Sequence, residues 1–121
     1  MDKLDTMFRM QQKLNEDIIR RRGLEGISNE EWIQKQTLAM LSEMAELLDE
    51  VNFKWWKNPK PIDADAVREE LVDILHFFLS MCLCAGMDAE DLYRRYLNKN
   101  EENFKRQEGT SEKPGYAMPH A

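Results

Sequence analysis

Leu71-Val-Asp-Ile-Leu-His-Phe-Phe-Leu-Ser-Met-Cys-Leu-Cys-Ala85 is the stretch on which the reading of this chain turns. Of its fifteen residues only Asp73, His76 and Ser80 are polar. A helix that is apolar on nearly all sides is buried on nearly all sides, so Asp73 is expected to point into protein. An unpaired carboxylate there is costly and must be neutralised by a base or by a metal ion. Glu70 stands three residues before Asp73, which puts both on one helical face.

The same arrangement recurs upstream in Leu41-Ser-Glu-Met-Ala-Glu-Leu-Leu-Asp-Glu50. Glu43 and Glu46 are three apart, and Glu50 falls on nearly the same stripe. At about 100° per residue this stripe borders the apolar arc of Met40, Met44, Leu47, Leu48 and Val51 rather than opposing it. Two such pairs on facing helices would set four carboxylates around one point, which is how helical bundles hold metal. All-oxygen ligation suits Mg²⁺, or Mn²⁺ in its place, better than zinc. A single nearby histidine, His76, argues against a di-iron centre. Taken singly, each element has a plainer reading. E-x-x-E is common on solvated helix faces, a lone histidine is usually a satisfied core residue, and Trp55 and Trp56 are ordinary packing side chains.

Glycine and proline divide the rest of the chain into helices. The first is expected from about Asp2 to Arg22, with Leu4, Phe8, Leu14 and Ile18 at helical spacing. Ser28 with Glu31 resembles a capping box opening the second, which runs to about Phe53. Asp63 or Asp65 caps the third, ending near Gly86. Asp88 with Asp91 opens the fourth, ending near Gln107. No segment alternates in the manner of a strand. The expected fold is all-α, a four-helix antiparallel bundle over residues 1–107 that assembles as a dimer or a dimer of dimers. Residues 108–121 form a polar tail broken by glycine and proline, either mobile or ordered by a ligand.

The 121 residues fit one domain, and the net charge of -6, from 23 acids against 17 bases, argues against a nucleic-acid polymer as the main ligand. A polyanionic substrate is compatible with that balance only through an intervening cation. Cys82 and Cys84 read as small core side chains rather than a disulfide framework. With no signal peptide and no apolar run long enough to cross a membrane, the expected location is the cytoplasm, without a membrane partner.

These pieces occur in an order that resembles a known group. Met10-Gln-Gln-Lys-Leu-Asn15, Glu43-Met-Ala-Glu46-Leu, Phe53-Lys-Trp-Trp-Lys-Asn58 and Glu70-Leu-Val-Asp73-Ile-Leu-His-Phe-Phe-Leu-Ser80 look like the dimeric dUTPases. Those enzymes belong to the all-α nucleoside-triphosphate pyrophosphatases that also include the MazG-like proteins. The resemblance covers most of the chain, although this chain is short beside the larger dimeric dUTPases. It implies Mg²⁺-dependent hydrolysis of dUTP to dUMP and pyrophosphate, with Glu43, Glu46, Glu70 and Asp73 as metal ligands. Glu43 is the candidate for orienting or deprotonating the attacking water, with Glu46 as the alternative. Gln12 and Asn15 are implied to read the base, with His76 beside them and Phe77 stacking on it. Trp56 would wall the pocket and Lys57, or Lys54, would lie near phosphate. Lys99, Asn103, Arg106 and Tyr116 are implied contacts to sugar and phosphates. The alternatives are a MazG-like pyrophosphohydrolase for dCTP or a modified nucleotide, and a non-catalytic helical dimerisation protein. Either enzymatic reading expects a nucleoside triphosphate as ligand and a homodimer or homotetramer as assembly.

Overall fold

The computed structural model describes residues 1–118 and is all-α, with no strand among them. Its helices are α1 (Lys3–Arg22), α2 (Asn29–Glu50), α3 (Ala64–Cys84) and α4 (Ala89–Glu108). The last three residues of the expected tail, 119–121, lie outside the described residues.

Each helix starts where a side-chain oxygen takes up its free amides. Asp2 accepts from the Asp5 amide at 2.8 Å. Asp63, not Asp65, caps α3 by accepting from the amides of Asp65 and Ala66 at 3.0 and 3.2 Å. The box expected at α2 is half made. Ser28 Oγ accepts from the Glu31 amide at 3.2 Å, but the Glu31 carboxylate lies 3.9 Å from Lys35. The reciprocal box is at α4, where Asp88 accepts from the Asp91 amide and Asp91 from the Asp88 amide.

α2 stops at Glu50, short of the expected Phe53, because Asn52 turns left-handed with φ 59. Asparagine tolerates that conformation. Its side chain then clamps the next loop: Nδ2 donates to the Lys60 carbonyl at 2.8 Å and Oδ1 accepts from the Lys60 amide at 2.9 Å.

The chain forms two compact units, one spanning Met1–Met87 and one beginning at Asp88. In the first, α3 packs on both α2 and α1. Gln11 meets His76 and Asn15 meets Ser80, each pair 65 positions apart, so α1 and α3 advance in parallel. Thr37 of α2 meets Met81 near one end of α3 while Glu43 and Glu46 meet Glu70 near the other, so α2 runs antiparallel to α3.

The fully buried apolar side chains of this unit are Phe8, Leu79 and Cys82. On α1 the inward stripe is Leu4, Phe8, Gln11, Asn15 and Ile19, whereas Leu14 and Ile18, expected inside, are exposed. The expectation that α3 is buried all round also fails in the single chain. Leu71, Val72, Leu75 and Phe78 are exposed, because α1 and α2 cover only part of its circumference, and Asp73 is exposed with them. Its carboxylate is therefore solvated rather than stranded in the core. Both cysteines are free, as expected, and burial pushes their thiols up.

In the second unit α4 ends at Gly109, whose φ of 80 is the left-handed conformation that glycine adopts without strain. The segment that follows folds back on its own helix. The amides of Thr110 and Ser111 donate to the Lys105 carbonyl at 3.0 and 3.2 Å, and Ser111 Oγ donates to Glu102 at 2.6 Å. The Met118 side chain occupies the place a Cβ at position 109 would need.

Candidate functional site: an acidic cluster beside a polar ring

Antiparallel packing of α2 on α3 brings Glu43 and Glu46, one turn apart, against Glu70. One carboxylate oxygen of each lies within 4.8 Å of the others. Glu46 is exposed, while Glu43 and Glu70 are half-buried. Glu43 Oε2 and Glu70 Oε2 are buried with no hydrogen-bond partner. Buried polar atoms of this kind are uncommon, since each forfeits its hydration without return. Asp73 stands one turn further along α3, outside this tight group, yet its charge still reaches Glu70.

The crowding shows in the protonation of Glu70. Its carboxyl is pushed from 4.5 up to about 7, first by the Glu43 carboxyl against which it lies, then by burial, and then by the charges of Glu46, Glu43 and Asp73. The folded chain therefore holds a proton that the unfolded chain has released between those pH values. That contribution to stability is fully present below 4.5 and is lost as pH rises through about 7. Denaturant unfolding in EDTA should show the metal-free protein losing stability across this window. A flat profile between pH 5 and pH 8 would mean the acids do not repel one another as their positions require.

A second polar feature lies further along α3, towards its C-terminal end. His76 Nδ1 donates to Gln11 Oε1 at 2.5 Å, and Gln11 Nε2 donates to Asn15 Oδ1 at 2.9 Å. Asn15 Nδ2 then donates to Ser80 Oγ at 3.1 Å, and Ser80 Oγ donates back to the His76 carbonyl at 2.9 Å. The ring closes on itself with Gln11 and Ser80 buried, 4% and 2% exposed. One side of it opens on a groove of about 450 Å³ between α1 and α3, lined by Met7, Met10, Leu14, Val72, Leu75 and Leu79 together with Gln11 and His76.

Of the residues proposed to read the base, Asn15 and His76 are thus brought together. Gln12 is not among them: it is exposed, and its amide donates to Glu16. Gln11 takes the place expected of it. The signal was present in the sequence, because Gln11 is four residues from Asn15 and three from Phe8, on the inward stripe. Ser80 was visible as a polar residue in an apolar helix but unassigned. Phe77 is half-buried on α3.

Trp56 and Lys57 lie in the clamped loop after α2. Trp56 is stacked edge-on between Phe53 and Trp55, at ring separations of 6.3 and 4.7 Å. Lys57 lines an open basin of about 370 Å³ with Lys54, Lys60, Asn52, Asn58, Asp49 and Phe53. In the second unit, Lys99 and Asn103 are exposed on α4. Arg106 pairs with Glu102 at 3.2 Å and lies over the Tyr116 ring at 5.2 Å. The Ser111 hydrogen bond first, and then Arg106, hold Glu102 below the usual carboxylate range.

Comparison with known proteins agrees with this geometry. Residues 3–87, the helices that carry both the acids and the ring, match the family described as dUTPase. A dCTP pyrophosphatase of Enterobacteria phage LZ5 is 34% identical over 86 residues, covering 71% of this chain and 48% of that protein. A dCTP pyrophosphatase of Enterobacteria phage T4 is 34% identical over 88 residues, covering 61% of this chain and 52% of that protein. The chain thus spans about half the length of these curated relatives. No solved structure matches it. With the family match extending through α1, α2 and α3, the chain belongs to the all-α dUTPase family.

Proposed function

We propose that the chain hydrolyses a deoxypyrimidine nucleoside triphosphate to the monophosphate and pyrophosphate, with Mg²⁺ or Mn²⁺ held by Glu43, Glu46 and Glu70 and joined by Asp73. The observation that carries this reading is the pair of buried, partnerless oxygens, Glu43 Oε2 and Glu70 Oε2, beside the Glu46 carboxylate. A divalent cation would satisfy both oxygens at once, and an all-carboxylate donor set suits a hard ion. When bound, the metal neutralises the triphosphate and makes a bound water more acidic.

The chain's own residues divide the remaining work. Glu46, exposed and outside the Glu43–Glu70 pair, is better placed than Glu43 to take a proton from water. The lysines of the 52–60 loop attract the phosphates, and Trp56 walls the approach. Asn15, His76 and Phe77 are the residues of α1 and α3 that would meet the base. Within the second unit, Arg106 is already engaged by Glu102 and Tyr116.

The family description favours dUTP as substrate, and the names of the two phage relatives favour dCTP as a second reading. The test is chromatography of the products from each nucleotide, with and without Mg²⁺. We expect monophosphate and pyrophosphate, and only with metal. Release of a nucleoside diphosphate and orthophosphate would sink the reading, since that outcome requires attack at the terminal phosphorus.

Assembly as a homodimer or homotetramer belongs to the same proposal. Met7, Met10, Leu14, Leu71, Val72, Leu75 and Phe78 are exposed on α1 and α3, and a second copy laid there would cover them and roof the groove. Contiguous apolar surface of this kind marks an interface. Light scattering at micromolar concentration should give at least twice the 14.4 kDa chain mass; a monomer would refute the assembly.

A further inference from the structure

We infer that Asn52 is a positioning residue: by holding Lys60 through both its carbonyl and its amide, it sets the 52–60 loop so that Lys57 is the free cation that meets the substrate's phosphates. The inference rests on the nucleotide reading above and adds to it what holds the phosphate end of the site in place.

Asn52 does more than stop a helix. Its φ of 59 is left-handed, a conformation that glycine adopts with less strain. What asparagine adds there is a side chain that takes both main-chain groups of one residue eight positions on. Nδ2 donates to the Lys60 carbonyl at 2.8 Å and Oδ1 accepts from the Lys60 amide at 2.9 Å. With donor and acceptor ends of the amide both engaged, the contact fixes direction as well as distance. Two loop lysines are also tied to the last turn of α2, Lys54 to Asp49 at 3.3 Å and Lys60 to Glu50 at 3.6 Å. Asp49 and Glu50 stand three and four residues beyond Glu46, so both ties lie one turn along α2 from Glu46 and on its side of the helix. The charges of Lys54 and Lys60 are thereby matched, whereas Lys57 has no carboxylate partner among the described residues. Lys57 lines, with Asp49 and Asn52, the open basin of about 370 Å³ at this end of α2. An ammonium group there is a point charge suited to a phosphate oxygen. A loop without the clamp would have to be ordered when the phosphate arrives, and that ordering would subtract from affinity.

The test compares wild type with Asn52→Gly, Lys57→Ala and the double variant. Glycine keeps the left-handed turn and removes only the clamp. Calorimetry with inorganic pyrophosphate, Mg²⁺ being present, should show Asn52→Gly binding about tenfold more weakly than wild type. For dUTP or dCTP, KM should rise by the same factor with kcat within about twofold, the pattern of a lost contact made equally in ground and transition states. Because Asn52 acts through Lys57, adding Asn52→Gly to Lys57→Ala should weaken pyrophosphate by less than about twofold more. A role confined to folding would instead lower Tm and leave both the Kd and KM unmoved. Amide hydrogen exchange supplies a measurement on wild type alone: the Lys60 amide should be protected, and should lose that protection in Asn52→Gly. Wild-type pyrophosphate affinity in Asn52→Gly overturns the inference, as do fully additive losses in the double variant or a Lys60 amide that exchanges freely in wild type. A chain that binds pyrophosphate with the expected losses but hydrolyses neither nucleotide refutes the reaction alone and supports the clamp. A chain that hydrolyses either nucleotide while Asn52→Gly keeps its KM refutes the clamp alone.

Discussion

Glu43→Gln should lower kcat by at least about a thousandfold, which at ~1.4 kcal/mol per tenfold is about 4 kcal/mol of lost transition-state stabilisation. The substitution keeps the shape of the side chain and removes one negative charge from the carboxylate cluster that would hold the cation. The metal-free protein should not be weakened by it. A glutamine amide can donate to the Glu70 carboxylate, whose buried oxygen otherwise has no partner, and one source of like-charge repulsion disappears. The unfolding midpoint in EDTA at pH 8 is therefore expected to hold or rise while turnover of dUTP and dCTP collapses. A variant that keeps turnover within tenfold of wild type would remove Glu43 from the reaction. The contrast of rate with stability matters, because loss of both would be the signature of a structural acid whose buried partner has been stranded.

Phe8→Ala is expected to give the largest loss of stability. Phe8 is 4% exposed and, with Leu79 and Cys82, makes up the fully buried apolar core of the first unit. Truncating a buried phenylalanine costs about 3–5 kcal/mol, a large share of the roughly 5–15 kcal/mol that holds a domain together. At roughly 4–8 °C per kcal/mol for a unit of this size, Tm should drop by at least about 12 °C. Ile18→Ala provides the control. Periodicity places both residues on one apolar stripe, but Ile18 is 37% exposed, and its truncation should cost less than about 1 kcal/mol. Equal losses in thermal melts of the two variants would contradict the orientation of α1.

The helices themselves were legible because their signals are local. Asp2, Ser28, Asp63 and Asp88 cap where short polar side chains precede periodic segments, and Gly23 and Gly109 end α1 and α4 in left-handed conformations. The end of α2 was missed because an asparagine, not a glycine, makes the turn, and its clamp on Lys60 spans eight residues. The acid triad was legible from spacing, since E-x-x-E on one helix and a glutamate on its antiparallel neighbour converge without further information. Asp73 was misread for a physical reason. An apolar helix reports that its surface will be covered but not by what, and in the single chain α1 and α2 leave the Asp73 side open. The buried carboxylate oxygens without a partner are those of Glu43 and Glu70. Gln12 and Gln11 are adjacent, about 100° apart on the helix, so the choice between them rested on which way α1 faces. That in turn depends on Gln11 meeting His76 and Asn15 meeting Ser80, long-range contacts that a pattern within one helix does not contain. The fold of residues 109–118 onto α4 was equally hidden, because it depends on Arg106 meeting Tyr116 and Met118 meeting Gly109 rather than on propensity.

Calorimetric titration of Mg²⁺ or Mn²⁺ into wild type and Glu43→Gln at pH 6, with the non-hydrolysable α,β-imido form of dUTP or dCTP present, tests most directly whether the carboxylates on α2 and α3 hold the metal. Wild type should bind the ion and release a proton from Glu70 as it does so, since that carboxyl titrates at about 7 in the metal-free chain. The proton release should be read from the dependence of the heat on the buffer and should shrink as pH rises well above that value. Glu43→Gln should bind the ion at least about tenfold more weakly. Metal binding of equal strength in both proteins, or none in either, would contradict a metal centre at Glu43, Glu46 and Glu70.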